Sequence, residues 1–167
     1  MFREMRRKNC VISQEAAEKI LREGDYGVLA LFDGEYSYAV PINYAVDGNK
    51  IYFHCAKTGH KLDAIKNNAK VSFCVVDRHE VVAEEFTTYF SSAIAFGPIR
   101  IVEDNDDPDK LRGLELLADK YSSTASPVRR EKELSRLSAL FVLVMTIEHL
   151  TGKAARELVK RGDFKEV

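Results

Sequence analysis

Residues 36–76 constrain this chain more than any other stretch. Three short runs rich in apolar, aromatic and β-branched residues, at 36–46, 50–55 and 70–76, sit close together with turn residues around them. Asp47, Gly48 and Asn49 form a hairpin signal between the first two. Between the second and third the pattern breaks at Ala56, Lys57, Thr58, Gly59, His60 and Lys61, and helical spacing follows at Leu62 and Ile65. Thr58 is the expected N-cap, which would leave Gly59, His60 and Lys61 with unpaired backbone amides. A helix start with free amides, a hydroxyl and two side chains able to carry positive charge suits a phosphate group. The same residues also suit an ordinary solvated turn, and spacing alone leaves both readings open.

Length and composition bound the remainder. The 167 residues fit one domain, and 46% hydrophobic with 31% charged residues marks a globular chain rather than a disordered one. A net charge of −1 supplies no global field that would draw the chain to nucleic acid or to a membrane surface. No apolar run approaches bilayer-spanning length; the longest, at 139–147, is strand-sized. Residues 1–12 carry Arg3, Arg6, Arg7 and Lys8 without a following apolar core, so they predict an N-terminal arm rather than a signal peptide. Three cysteines, Cys10, Cys55 and Cys74, at no paired spacing point to free thiols and a cytoplasmic location.

Taken in order, Ser13 caps a short helix with Ala16, Ala17, Ile20 and Leu21 on one face, stopped by Gly24. Residues 26–32 predict a strand, with a tight turn at Asp33-Gly34. Residues 77–85 are charged and predict a loop across the barrel, and residues 86–102 a long strand bent or bulged at Gly97-Pro98. Pro108 after Asp106-Asp107 opens a helix with Leu111, Leu114, Leu117 and Ala118 inward, and Ser126-Pro127 opens a second through Leu137. Residues 139–150 predict one last strand covered on both faces, ended by Gly152, with a C-terminal helix from Lys153 to Lys160 and then a tail. The sum is a single domain over residues 1–167, mainly β with peripheral helices, built on six strands in a closed antiparallel barrel.

Several blocks also resemble a known family. They are Tyr26-Gly27-Val28-Leu29, Val40-Pro41-Ile42-Asn43-Tyr44, Tyr52-Phe53-His54-Cys55-Ala56, Gly59-His60-Lys61-Leu62, Val71-Ser72-Phe73, the run from Tyr89 through Ser91 and Ser92 to Gly97, and Thr151-Gly152-Lys153-Ala154. In this order they resemble the flavin-binding split barrels of the pyridoxamine-phosphate-oxidase-like superfamily, and most nearly its nitroimidazole-resistance (Nim-type) branch.

The resemblance implies FMN held at the interface of a homodimer. It implies a phosphate grip by His60 and Lys61, and Val40, Pro41, Ile42 and Asn43 along the flavin ring. It places His54, Cys55 and Ala56 beside the ribityl-phosphate and the flavin edge, Ser91 and Ser92 near the flavin, and Lys153 near the partner subunit's flavin. Where many relatives of the oxidase branch carry arginine this chain has His60, so a ring nitrogen replaces a bidentate fork. Read without the resemblance, His54 is equally an interior histidine bonded to backbone, Asn43 the polar side of a strand, the serines small residues for close strand packing, and Lys153 part of a strand exit.

His54, Cys55, His60, Cys74 and His79 match no standard zinc spacing, so no metal site is expected. A buried Cys55 thiol is a poor nucleophile. No GxGxxG is present, so a nicotinamide nucleotide would be a diffusing electron donor rather than a resident cofactor. The resemblance implies an FMN-dependent oxidoreductase of small nitro-aromatic or quinone-like substrates, with His54 as proton donor. The alternatives are a non-catalytic flavin-binding module, a pyridoxamine-phosphate oxidase, or a split barrel carrying haem or deazaflavin.

Overall fold

The computed structural model describes residues 2–164, so Met1 of the expected arm and positions 165–167 of the expected tail lie outside it. Ser13 caps α1 (Gln14–Glu23) by accepting a hydrogen bond from the Ala16 amide at 3.2 Å, and Ala17, Ile20 and Leu21 are buried along one face. Ahead of it the arm is partly packed. Cys10 and Ile12 are buried, and the Ile12 amide donates to the Gly152 carbonyl.

Eight strands follow among the described residues, not six. They are β1 (Gly27–Phe32), β2 (Ser37–Ile42), β3 (Ala45–Asp47), β4 (Lys50–Cys55), β5 (Lys70–Val82), β6 (Thr87–Val102), β7 (Phe141–Thr146) and β8 (His149–Ala154). Two of the expected runs each divide. The 36–46 run breaks at Asn43-Tyr44 because β2 pairs with β1 whereas β3 pairs with β4. The 139–150 run breaks at Ile147-Glu148, and Gly152 lies inside β8 rather than ending a strand. Residues 77–82, expected as loop, extend β5 after a register shift between Val76 and Arg78; alternating charge on an exposed strand hides the pairing from the sequence.

All ladders are antiparallel, in the order β2-β1-β5-β6-β7-β4-β3, with β8 also on β6. The path is open. Its ends, β2 and β3, are joined by the corner at Asn43-Tyr44 and not by a ladder, which corrects the expected closed barrel. β6 carries the other crossing. It pairs with β5 up to Pro98, with β8 from Ser91 to Phe96, and with β7 from Ile99 onward. Gly97 sits at this change, where a Cβ would stand 1.8 Å from the Thr146 carbonyl oxygen.

The core lies inside this curved sheet. Phe73 meets Tyr44 and Phe53 edge-on, at ring distances of 4.7 and 5.0 Å, and all three are fully buried. The Tyr44 hydroxyl donates to the Leu21 carbonyl at 2.6 Å.

α3 (Pro108–Tyr121) is capped by Asp107 and α4 (Pro127–Leu134) by Ser126. The start of α3 is tied to the sheet through Asp109, which accepts from Lys50 Nζ and from the Tyr52 hydroxyl at 2.8 Å. Its end clamps the Asn43-Tyr44 corner. The Tyr121 hydroxyl accepts from the Tyr44 amide at 3.0 Å and donates to the Asp25 carbonyl, while Lys120 Nζ lies 3.9 Å from the Tyr44 ring centre. Leu117 is buried as expected, but Leu111 is exposed. α4 ends at Leu134 rather than Leu137, and α5 covers Arg156–Lys160 rather than starting at Lys153.

Candidate functional site

The break before the helix at residue 60 forms the first part of the site. α2 (His60–Asn67) starts after Gly59, whose φ of 133° lies in the region that favours glycine. Gly59 is therefore the cap residue, not Thr58. Its carbonyl accepts from the Leu62 amide at 2.9 Å, and no side chain caps the helix. The amides of His60 and Lys61 have no backbone partner among the described residues, so the helix start presents donors and the positive end of its dipole.

His60 is engaged elsewhere. Its Nε2 lies 2.9 Å from Asp33 Oδ2, and its ring stacks on Tyr38 with centres 4.4 Å apart. Asp33 also accepts from the Tyr36 and Glu35 amides at 2.6 and 2.8 Å, and these bonds hold its carboxyl below the usual range. A carboxylate can only accept, so Nε2 carries the hydrogen. Lys61 makes no ion pair among the described residues.

Lys61 opens onto a cleft of about 410 Å³ lined also by Tyr26, Pro41, Ile42, Asn43 and His54. Pro41 sits on edge strand β2, where a missing amide costs no ladder bond. Val40 and Ile42 alternate with Pro41 and pack on the core, and Ile42 also reaches the cleft. β4 presents His54 to the solvent side while Phe53 points inward. Partial desolvation of the ring, which still reaches solvent, and then the Lys61 charge lower the His54 pKa, so the imidazole is mostly neutral at pH 7. Burial raises the neighbouring Cys55 thiol, which keeps it protonated, and Ala56 follows the strand, exposed.

Asn43 and His54 also line a second, larger groove of about 770 Å³ on their far side, under α3 and α4. These two residues thus form the wall between a basic cleft and an apolar groove.

The remaining candidates lie apart. Ser91 and Ser92 point to opposite sides of β6. Ser91 is fully buried and its hydroxyl donates to Asp77 at 2.6 Å. Ser92 is half-buried on the outer sheet face, directly opposite Lys153 on β8, and Lys153 lies over the Phe90 ring at 5.4 Å. On that same outer face Pro41, Val28, Cys74 and Ile94 form one row across four strands. Pro41 and Ile94 are therefore three strand spacings apart, roughly 14 Å, and Ser92 lies two residues further along β6. One chain brings Lys61, His54, Asn43 and Pro41 together and leaves Ser92 and Lys153 at a distance.

No group of three or more His, Cys, Asp or Glu side chains could hold a metal ion among the described residues. No helix among them is long and apolar enough to cross a membrane.

A sequence model of the pyridoxamine 5'-phosphate oxidase family matches residues 13–154. The chain belongs to that family. A curated relative, an uncharacterized protein of Rhizobium meliloti (strain 1021), is 34% identical over 67 residues, and the match covers 40% of this chain and 44% of that protein. The aligned part is thus less than half the length of that relative. Among solved structures, a candidate 5-nitroimidazole antibiotic resistance protein from Bacteroides thetaiotaomicron superposes with a TM-score of 0.71 at 21% identity, covering 86% of each chain. The FAD and heme binding protein from Mycobacterium smegmatis superposes at 0.67 with 21% identity, covering 90% of this chain and 78% of the other. These likenesses establish a shared fold.

In this member of the pyridoxamine 5'-phosphate oxidase family, Tyr26 and Asp33 join the site without having been singled out from the sequence as site residues. Tyr26 precedes β1 as an exposed aromatic and lines the cleft beside Pro41 and Lys61. Asp33 read as a turn residue, which it is, and its further bond to His60 depends on a helix 27 positions away.

Proposed function

We propose that this chain is an FMN-binding flavoprotein that reduces small nitro-aromatic or quinone-like compounds. The observation that carries the reading is the basic cleft: uncapped α2 amides and unpaired Lys61 at one end, and Pro41, Asn43 and His54 along its wall. The donor set fits a phosphate at the helix start, and the exposed Tyr26 and Pro41 offer flat apolar surface for a ring system. Lys61 and the amides would hold the phosphate, with His60 kept beside them by Asp33. FMN, when bound, supplies two-electron redox chemistry. The protein would position the acceptor against His54, which can place a proton on an oxygen gaining charge. A diffusing nicotinamide nucleotide is the proposed donor.

A homodimer completes this reading. The outer face carries Val28, Ala30, Cys74 and Ile94, half-buried, and Val76, exposed, with Phe2 of the arm packed at one end on Phe96. A second copy against that face would bring its own Ser92 and Lys153 toward the first copy's cleft. A flavin is supported by the Mycobacterium smegmatis protein of the same fold, which binds FAD and haem. The visible spectrum of purified protein tests the cofactor: flavin bands are expected, whereas a Soret band alone would overturn FMN. Reoxidation of the reduced protein by nitro-aromatic or quinone acceptors separates an enzyme from a binding module, because a module reacts no faster than free reduced FMN.

A further inference from the structure

The groove behind Asn43 and His54 has no part in holding a phosphate or a ring in the basic cleft. Its volume, about 770 Å³, is that of a small-molecule site. Leu114, Leu117 and Ala118 from α3, with Leu134 and Leu140, make its lining largely apolar. Its inner end is the Asn43–His54 wall, which the basic cleft shares. Charge at the outer end is unbalanced. Arg130 Nη1 is held by Asp119 at 2.7 Å, and Glu133 pairs with Arg136 at 3.5 Å. Arg129, one helical turn before Glu133 and also on the groove, has no ion pair among the described residues.

We propose that this groove binds the substrate, an elongated apolar molecule bearing a carboxylate, with the carboxylate at Arg129 and the opposite end at the Asn43–His54 wall. The assignment rests on the functional reading above for what happens at the wall, and on the groove alone for binding. An apolar body displaces water from the leucine lining. A guanidinium at the rim takes a carboxylate in two parallel hydrogen bonds, which a neutral end group cannot make. Selectivity therefore comes from Arg129 and affinity from the leucines. The clamp of Tyr121 and Lys120 on the Tyr44 corner fixes the wall against which the far end rests.

The probes are 4-(4-nitrophenyl)butanoate and its methyl ester, titrated calorimetrically into the full chain with and without FMN. Wild type is expected to prefer the acid over the ester by about tenfold, the effect of one good charge-assisted pair. Arg129→Gln should abolish that preference while leaving ester binding unchanged, and Leu134→Trp, which fills the groove, should weaken both probes. Equal affinity of wild type for acid and ester overturns the proposal, as does a preference that survives Arg129→Gln. Absence of binding by either probe overturns it too, and is the outcome expected if a second copy of the chain covers the groove. Failure of the flavin reading is a different result: no FMN uptake, with the acid preference intact in the FMN-free protein.

Discussion

His60 Nε2 and Asp33 Oδ2 lie 2.9 Å apart, so the basic residue at the start of α2 already has an acidic partner in the β1–β2 turn. The bond ties two segments that flank the cleft and commits the imidazole Nε2 donor locally. Lys61, next along the chain, has no such partner among the described residues. Two adjacent basic residues that look equivalent in sequence are therefore unequal toward an anion.

Replacing each tests that inequality. Lys61→Ala should weaken FMN binding by roughly 1.5–3 kcal/mol, the range for a hydrogen bond to a charged group. His60→Ala should weaken it by less than about threefold, within what indirect loosening of one turn produces. Fluorescence titration of FMN into the two variants compares them directly. Equal losses would mean that His60 leaves Asp33 when phosphate binds.

Assembly is tested on the outer face. Ile94 lies in the row with Pro41, Val28 and Cys74, so Ile94→Asp places a charge in the middle of the proposed contact without touching the core. Light scattering should show a dimer of twice 18.9 kDa for wild type and a monomer for the variant. Flavin affinity should fall with dissociation, because Ser92 and Lys153 would then be missing from the site. A monomeric wild type holding stoichiometric FMN would rule out the interface.

Gly97 tests the sheet crossing. A methyl group there would lie 1.8 Å from the Thr146 carbonyl, and neither backbone can give way without breaking the β6–β7 junction. Gly97→Ala should destabilise the fold by about 3 kcal/mol, the upper part of the range for overpacking, read as a lower urea midpoint. Gly59→Ala is the useful contrast. It meets no atom within 4 Å, so its cost comes from the φ of 133° alone.

What the sequence made legible follows from how local each signal is. Ser13, Asp107 and Ser126 act within one helical turn, and their caps stand where spacing put them. The hairpin at residues 47–50 needs only its own turn residues. The breaks at Asn43-Tyr44 and Ile147-Glu148 were hidden because apolar runs continue through them; a strand that changes partner keeps its composition. The helix start before Lys61 was legible because helix-start signals are local, although the cap is Gly59 and not Thr58. The groove under α3 and α4 was not, since Asn43 and Arg129 stand far apart in sequence and line one groove only in the folded chain.

The last prediction concerns His54 and pH. Partial desolvation and the neighbouring Lys61 both disfavour its cation, so the folded pKa lies below the ordinary 6.5. At pH 7 the ring is mostly neutral, and the protonated fraction grows only as pH falls through that lowered value. If His54 delivers the proton to the acceptor oxygen, reoxidation of reduced protein should accelerate as pH drops below 6.5 and level off beneath the folded pKa. His54→Ala should keep FMN, lose the acceleration, and run at least tenfold slower at the acid end, on the low side of the roughly 10²–10⁴-fold typical of a positioned acid. Stopped-flow mixing with a quinone acceptor from pH 5 to 8 reads both effects without needing the physiological electron donor. Stability moves in the opposite sense. The unfolded chain binds the His54 proton more readily than the folded one, so this group's contribution is present above pH 6.5 and is lost as pH falls through the folded pKa. The rate plateau must therefore be measured where the protein remains folded by circular dichroism. A pH profile identical in wild type and His54→Ala would remove His54 from the chemistry and leave it only the role of cleft wall.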